Sequence, residues 1–179
     1  MRGYDRRTFL AATGAAVTAL SGCTQLPGAR DAPGASEGDG TGGQNGPQTL
    51  DTLDVGGSPG ETMAVVPDGT VTLLDFFATY CAPCKPQMAE LREVRSAFPE
   101  VHILSITWER DVETVRSFWR EYDGSWPVAM DPEVETGPTY DVQALPTMLI
   151  VDAAGTETWR HKGLAEAATI ESELEAARQ

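Results

Sequence analysis

Four short apolar runs along the chain predict buried β-strands. They are rich in β-branched and aromatic residues, and each is too short for a helix of ordinary length. The runs lie at 71–77, 101–108, 126–130 and 147–151. Residues 62–66 are the expected hairpin partner of the first run, across the Asp68-Gly69 turn. Residues 156–161 are expected to return antiparallel to the last run, across a turn at 152–155.

Between these runs, apolar residues recur at spacings of three and four, which predicts amphipathic helices. The helical segments are 87–98, 111–122, a short one at 132–140, and 165–178. Strands and helices alternate, and the chain ends in a hairpin and a helix. We therefore predict an α/β fold with a central mixed sheet and helices on both faces. An N-terminal β-hairpin precedes it, and the folded domain is expected to span 49–179.

Residues 1–22 have the layout of an export signal, because Arg6 and Arg7 precede an uncharged run of small and apolar residues. That run is too short and too rich in Ala and Gly to cross ~30 Å of hydrocarbon as a helix. The paired arginines resemble the twin-arginine export motif. Residues 20–23 resemble a lipobox, whose cysteine, Cys23, becomes the lipidated N-terminus. An uncleaved anchor is the alternative, and both tether the domain outside the cytoplasm.

Residues 23–48 are predicted to form a lipidated, flexible linker. Ten of the 25 residues from 24 to 48 are Gly or Pro, and Leu26 is the only large apolar one. A segment of this composition cannot bury enough surface to offset its ordering entropy. We expect a stalk that keeps the domain within about 25–30 Å of its anchor.

The charge balance argues against one class of partner. The chain has 27 Asp and Glu against 13 Lys and Arg, for a net charge of −14, and its only lysines are Lys85 and Lys162. Phosphate binding needs clustered Lys and Arg, so nucleic acid is not an expected partner. The balance is similar to that of proteins from extreme halophiles, whose carboxylate-rich surfaces stay solvated in salt. An ordinary acidic surface is the alternative.

Cys81 and Cys84 lie where a buried strand passes into a helix. The free N–H groups and positive dipole end of a helix start favour thiolate over thiol. Cys81 comes first and is expected to attack, while Cys84, about one turn inside, resolves the mixed disulfide. A zinc site would need about four ligands, yet the chain adds only His102 and His161 and has no second Cys-x-x-Cys. A purely structural disulfide over so short a loop contributes little stability.

Residues 75–84 (DFFATYCAPC) resemble the active-site strand and loop of the thioredoxin superfamily, and 144–147 (ALPT) resemble its cis-proline loop. The region 111–140 resembles the insert of the TlpA/ResA-type extracytoplasmic branch. The resemblance covers nearly all of 50–179 and implies a thioredoxin fold with a redox-active Cys81–Cys84 pair. It also implies that the loop residues contact the substrate: Tyr80, Ala82, Pro83, Leu145, Pro146 and Thr147.

This sequence departs from the family pattern at several positions. Tyr80 stands where the family usually has Trp, and Gln87 where ResA-like members carry Glu. Asp75 matches the buried acid of thioredoxin itself. Pro86 predicts a strained or shifted first turn if Cys81 caps the helix, since its ring would meet the Ala82 carbonyl.

Asp75 lies in an otherwise apolar strand six residues before Cys81. Strand alternation places Phe77 on its face and Leu74 and Phe76 on the other. Burial should raise the pKa of this carboxyl, which would make it a proton acceptor for Cys84. The alternative is a buried Asp held only by backbone donors.

We therefore predict a monomeric, membrane-tethered thiol-disulfide oxidoreductase on the outer face of the cytoplasmic membrane. It would use no cofactor or metal ion. It would reduce disulfides in exported proteins, such as those that mature cytochromes c or copper proteins, and draw electrons from a membrane redox partner. The sequence leaves the opposite direction, oxidation of client thiols, as the alternative.

Two other functions remain open. A copper-binding assembly factor is one, although related copper chaperones have wider cysteine spacing and a distal His that His161 does not obviously match. A thiol peroxidase is the other, and there Leu74 and Ala78 occupy the positions of the Pro and Thr of the peroxidase motif.

Overall fold

The computed structural model describes residues 48–179, which contain nine strands and four helices. The strands are β1 (Thr49–Asp51), β2 (Asp54–Val55), β3 (Ser58–Pro59), β4 (Thr62–Ala64), β5 (Thr72–Phe77), β6 (His102–Thr107), β7 (Val128–Met130), β8 (Thr147–Val151) and β9 (Glu157–Lys162). The helices are α1 (Cys84–Ala97), α2 (Val112–Glu121), α3 (Thr136–Thr139) and α4 (Ala167–Ala177).

Five strands form the central sheet in the order β7-β6-β5-β8-β9. β5, β6 and β7 are parallel, whereas β8 runs antiparallel to both β5 and β9. Every residue of β5 is buried, as expected for the middle strand of a sheet covered on both faces. The predicted mixed sheet and α/β fold are thus confirmed.

The two faces of the sheet have different covers. The buried apolar residues of α1, α2 and α4 form one core with Leu73 and Phe77 of β5. The opposite core contains Leu74 and Phe76, and β1 together with the segment around α3 packs there through Leu50 and Tyr140. Because β5-α1-β6 and β6-α2-β7 step in the same direction along the sheet, right-handed connections place α1 and α2 on the same face.

Three local expectations are corrected. The 62–66 segment pairs with β1 and not with β5, because both edges of β5 are occupied by β6 and β8. Helix α1 begins at Cys84, earlier than 87. The helix expected over 132–140 is confined to α3, because the Asp131 carboxylate accepts backbone N–H bonds from Glu135 and Thr136 and so fixes its start.

The expectations for Arg6, Arg7, Cys23 and the linker lie outside the described residues. Within 48–179, none of the helices is both long enough and apolar enough to span a membrane.

Candidate active site

The end of β5 carries the chain into the loop that bears the cysteines. Cys81 N–H donates to the Ala78 carbonyl at 3.1 Å, and Cys84 N–H donates to the Cys81 carbonyl at 3.2 Å. The two cysteines form a disulfide with their Cα atoms 5.3 Å apart. Cys81 is half-buried, whereas Cys84 is only 2% exposed and packs in the core below α1. Of the two sulfurs, Cys81 is therefore the one a partner protein can approach.

The first turn of α1 lacks the usual protection of a helix start. Pro83 is the N-cap residue, and no side chain within the described part of the chain caps the backbone N–H groups. The turn also contains no acidic residue. Because the helix begins at Cys84, Pro86 is its third residue, where a missing N–H leaves no hydrogen bond unmade. The strain expected from Cys81 acting as the cap does not arise.

The second loop of the site contains a cis peptide bond between Leu145 and Pro146. Pro146 is buried, and its carbonyl accepts the Gly163 N–H at 2.8 Å. The Thr147 hydroxyl donates to the Ala144 carbonyl at 2.7 Å and closes the loop from within. The loop is thus held from both sides.

The two loops meet at a groove of about 240 Å³. Tyr80, which is 78% exposed, lines one side and Leu145 another. Trp108 and Glu109, from the end of β6, complete its wall. Of the residues predicted to contact the substrate, Ala82 and Pro83 are exposed on the cysteine loop, while Pro146 and Thr147 are buried.

Asp75 lies on the α1-facing side of β5, between Ser105 of β6 and Met148 of β8. It is 1% exposed. Ser105 Oγ donates to Asp75 Oδ2 at 2.7 Å, whereas Oδ1 has no hydrogen-bond partner among the described residues. Burial raises the pKa of Asp75 from 3.8 to about 7, and the Ser105 hydrogen bond offsets part of that rise. Asp75 thus shares its side of the sheet with Cys84.

Two contacts that support the site were not anticipated from the sequence. The Glu109 carboxylate accepts from Thr79 N–H at 2.8 Å and from the Thr79 hydroxyl at 2.7 Å, which ties down the loop two residues before Cys81. The Gln87 side chain accepts from Ala165 N–H and donates to the Ala165 carbonyl. Gln87 is 1% exposed, and its side chain joins α1 to the segment before α4.

The histidines lie apart from the cysteine loop in sequence and serve other contacts. The His161 ring stacks on Trp159, and its Nε2 lies 3.1 Å from the Leu164 carbonyl oxygen. His102 is half-buried in β6, and burial lowers its pKa.

Comparison with known proteins gives a consistent result. The family model described as Redoxin matches residues 42–177. The thiol-disulfide oxidoreductase ResA of Bacillus thuringiensis subsp. konkukian is 32% identical over 97 residues, which cover 53% of this chain and 56% of that protein. The chain therefore matches only about half the length of this curated relative.

Solved structures share the fold. The structure of MTB dsbF gives a TM-score of 0.65 at 19% identity, covering 73% of this chain and 95% of the other. The pneumococcal exposed lipoprotein thioredoxin Etrx1 of Streptococcus pneumoniae gives 0.59 at 22% identity, covering 70% and 98%. The solved structures show that the chain has a thioredoxin fold, and because the Redoxin match extends over most of its length, the protein belongs to the Redoxin family.

Proposed function

We propose that this protein is a thiol-disulfide oxidoreductase that reduces disulfides in exported client proteins. The observation that carries the proposal is the pair itself: an accessible Cys81, joined to a buried Cys84 at an uncapped helix start. The similarity to a protein named thiol-disulfide oxidoreductase ResA supports the same chemistry.

The reaction begins with the reduced pair. The Cys81 thiolate attacks one sulfur of a client disulfide, and the other client sulfur leaves as a thiolate with the bonding electrons. Cys84 then loses its proton and attacks Cys81 Sγ in the mixed disulfide. The remaining client sulfur leaves as a thiolate, and the Cys81–Cys84 disulfide forms. A dithiol on a membrane redox partner would return the two electrons and restore the reduced pair.

The groove lined by Tyr80, the residue before Cys81, is the proposed docking surface for clients. Tyr80 and Leu145 offer apolar contact on either side of it. The cysteine loop adds the exposed Ala82 and Pro83. Pro146 and Thr147 are buried and hold the cis-proline loop in place, so their role would be to position the Leu145 backbone for pairing with a client strand.

Asp75 is the proposed proton acceptor for Cys84. It lies on the same side of the sheet, and a carboxyl with a pKa of about 7 can take and release a proton near neutral pH. A base of this kind is needed because the buried Cys84 thiol must become a thiolate before it can attack.

We further propose that the domain acts as a monomer outside the cytoplasm, tethered by a lipid on Cys23 after twin-arginine export. Arg6→Lys with Arg7→Lys should leave precursor in the cytoplasm, and Cys23→Ala should abolish lipid labelling and release the protein from the membrane. A mature protein without lipid that begins elsewhere than Cys23 would contradict the anchor.

Trapping of clients tests the central proposal. Full-length Cys84→Ser should accumulate mixed disulfides through Cys81, whereas Cys81→Ser and the double variant should trap none. Faster alkylation of Cys84 than of Cys81 in the reduced wild type would contradict the assigned roles. Tight binding of copper(I) by reduced protein that does not reduce a model disulfide would instead identify a copper-binding assembly factor.

A further inference from the structure

A buried chain of two hydrogen bonds leads from Trp126, two residues before β7, through Ser105 of β6 to Asp75 of β5. Trp126 Nε1 donates to Ser105 Oγ at 2.9 Å, and Ser105 Oγ donates to Asp75 Oδ2 at 2.7 Å. Trp126 and Ser105 are both 0% exposed, and Asp75 is 1% exposed. Both hydrogen bonds therefore lie out of contact with bulk solvent.

The chemistry of the donors fixes the direction of this chain. An indole N–H can only donate, so Ser105 Oγ must accept from Trp126. The serine hydroxyl has a single proton, and Asp75 Oδ2 is its acceptor. Oδ2 is therefore held as an acceptor in both ionisation states of Asp75. The other oxygen, Oδ1, has no partner within the described residues and is the atom left to carry a proton.

We propose that Ser105 and Trp126 are positioning residues that confine proton exchange by Asp75 to Oδ1. This inference rests on the proposed function, in which Asp75 accepts the proton of Cys84. The Cys84 Sγ–H bond would break, the proton would pass to Oδ1, and the electron pair left on sulfur would attack Cys81 Sγ. As the Cys81–Cys84 bond forms, the S–S bond between Cys81 and the client would break, and the client sulfur would leave as a thiolate with the electron pair of that broken bond.

The Ser105 hydrogen bond is the main polar contact that acts on the pKa of Asp75. The positions opposite it on β6 and β8 are Ser105 and Met148, neither of them ionisable. The buried residues of the helices packed on this face contain, within 48–179, one ionisable group, the Cys84 thiol once it is reduced. A change at Ser105 should therefore be read directly in the titration of Asp75.

The test is an NMR titration of the Asp75 carboxyl carbon in the full-length, oxidised protein, where neither active-site cysteine titrates. Ser105→Ala removes a hydrogen bond that favours the charged form, so the midpoint should rise by about one pH unit. Trp126→Phe should give a smaller rise, because Ser105 can still donate but is no longer polarised by the indole. Ser105→Thr keeps the hydroxyl and should return the midpoint toward the wild-type value.

Thr72→Val is the matched control. It removes a different buried hydroxyl, that of Thr72 on β5. This hydroxyl donates to the Thr70 carbonyl and lies on the opposite face of the sheet from Asp75. Its midpoint should equal that of the wild type. An unchanged midpoint in folded Ser105→Ala would overturn the inference, as would equal rises in Thr72→Val and Ser105→Ala.

Kinetics separate this inference from the function on which it rests. In the reduced protein, the pH at which resolution of a mixed disulfide is half-maximal should rise in Ser105→Ala by the same amount as the NMR midpoint. Asp75→Asn should slow resolution without slowing the first attack by Cys81. If Asp75→Asn resolves at the wild-type rate while Ser105→Ala still moves the midpoint, the positioning stands and the base role of Asp75 is withdrawn.

Discussion

Two consecutive strand–helix units of this domain have the same geometry but opposite local chemistry. β5–α1 and β6–α2 lie side by side, with Asp75 and Ser105 at paired positions. In the second unit, the Asp111 carboxylate caps α2 by accepting from Glu113 N–H and Thr114 N–H. The first unit has a buried carboxyl with one unpartnered oxygen within 48–179, and no side chain in that range caps its helix.

This contrast shows where the domain trades local stability for chemistry. The first unit leaves the positive dipole end of its helix without a side-chain cap or an acidic residue within 48–179, and it has a protonatable group in its strand. Both are features a redox cysteine pair can use. The second unit satisfies its own helix and also supplies the contacts that its neighbour lacks, because Glu109 holds Thr79 and Ser105 holds Asp75. The reactive loop is thus stabilised from the adjacent unit.

Asp75→Asn should produce the largest effect on stability. The pKa of Asp75 is raised from 3.8, its value in an unfolded chain, to about 7 in the fold. The protonated carboxyl therefore stabilises the fold fully below pH 3.8, and this contribution is lost as the pH rises through about 7. Asn cannot ionise. Relative to the variant, the wild type should therefore lose about 4 kcal/mol of unfolding free energy between pH 4 and pH 8. Urea unfolding at several pH values measures this.

The pH dependence of stability should distinguish Asp75 of the first unit from Asp111 of the second. Hydrogen bonds from Thr114 and Glu113 lower the pKa of Asp111, so its contribution is present at neutral pH and is lost as the pH falls through the folded value. Asp111→Asn should thus show a pH dependence of the opposite sign. A difference between wild type and Asp75→Asn that does not change with pH would mean that Asp75 is not a raised, buried acid.

Glu109→Ala should have the second-largest effect. It leaves Thr79 N–H and the Thr79 hydroxyl without their acceptors, which should cost about 2 kcal/mol of unfolding free energy and loosen the loop before Cys81. Disulfide reduction should slow while the second unit stays folded. Glu113→Ala is the control, since its exposed pair with Arg116 is a surface contact that contributes little. Equal stability in the two variants would show that the Thr79 contacts do not matter.

Exchange of the capping chemistry should give a smaller change. Asp111→Ala removes the cap of α2 and should lower Tm by a few degrees without affecting Cys81. Pro83→Asp places a carboxylate at the start of α1. Its negative charge offsets the positive end of the helix dipole and so destabilises the Cys81 thiolate, which should slow alkylation of Cys81 at neutral pH by about two- to fivefold. Unchanged alkylation in Pro83→Asp would show that the free helix start does not activate the cysteine.

Added salt should produce the smallest of these effects, a change in Tm that does not depend on Asp75. The chain carries a net charge of −14, and repulsion among exposed carboxylates is screened over about 3 Å at 1 M salt against about 10 Å at 0.1 M. Tm should therefore rise with salt near neutral pH, equally in the wild type and in Asp75→Asn, because Asp75 is buried. A Tm that does not depend on salt would count against the halophilic interpretation.

The sequence alone determined the features that depend on neighbours along the chain. Hydrophobic periodicity gave the order of strands and helices, because burial on one or two faces leaves a regular spacing. The position of Cys81 and Cys84 between a strand and a helix indicated the redox site, and the resemblance of the cysteine and ALPT loops to those of the thioredoxin superfamily supported it. Alternation within β5 also placed Asp75 on the side of Phe77, as the two cores confirm.

Only the tertiary structure decided which distant residues support that site. Glu109 lies 30 residues from Thr79, and Gln87 lies 78 residues from Ala165. The pairing partner of 62–66 could not be predicted from the local sequence either. A turn brings two segments close together, but it does not determine whether they pair. Here both edges of β5 are taken by β6 and β8, so 62–64 pairs with β1. Hydrogen bonds of this kind leave no periodic trace, since they depend on register between strands and on what remains unpaired once the sheet has formed.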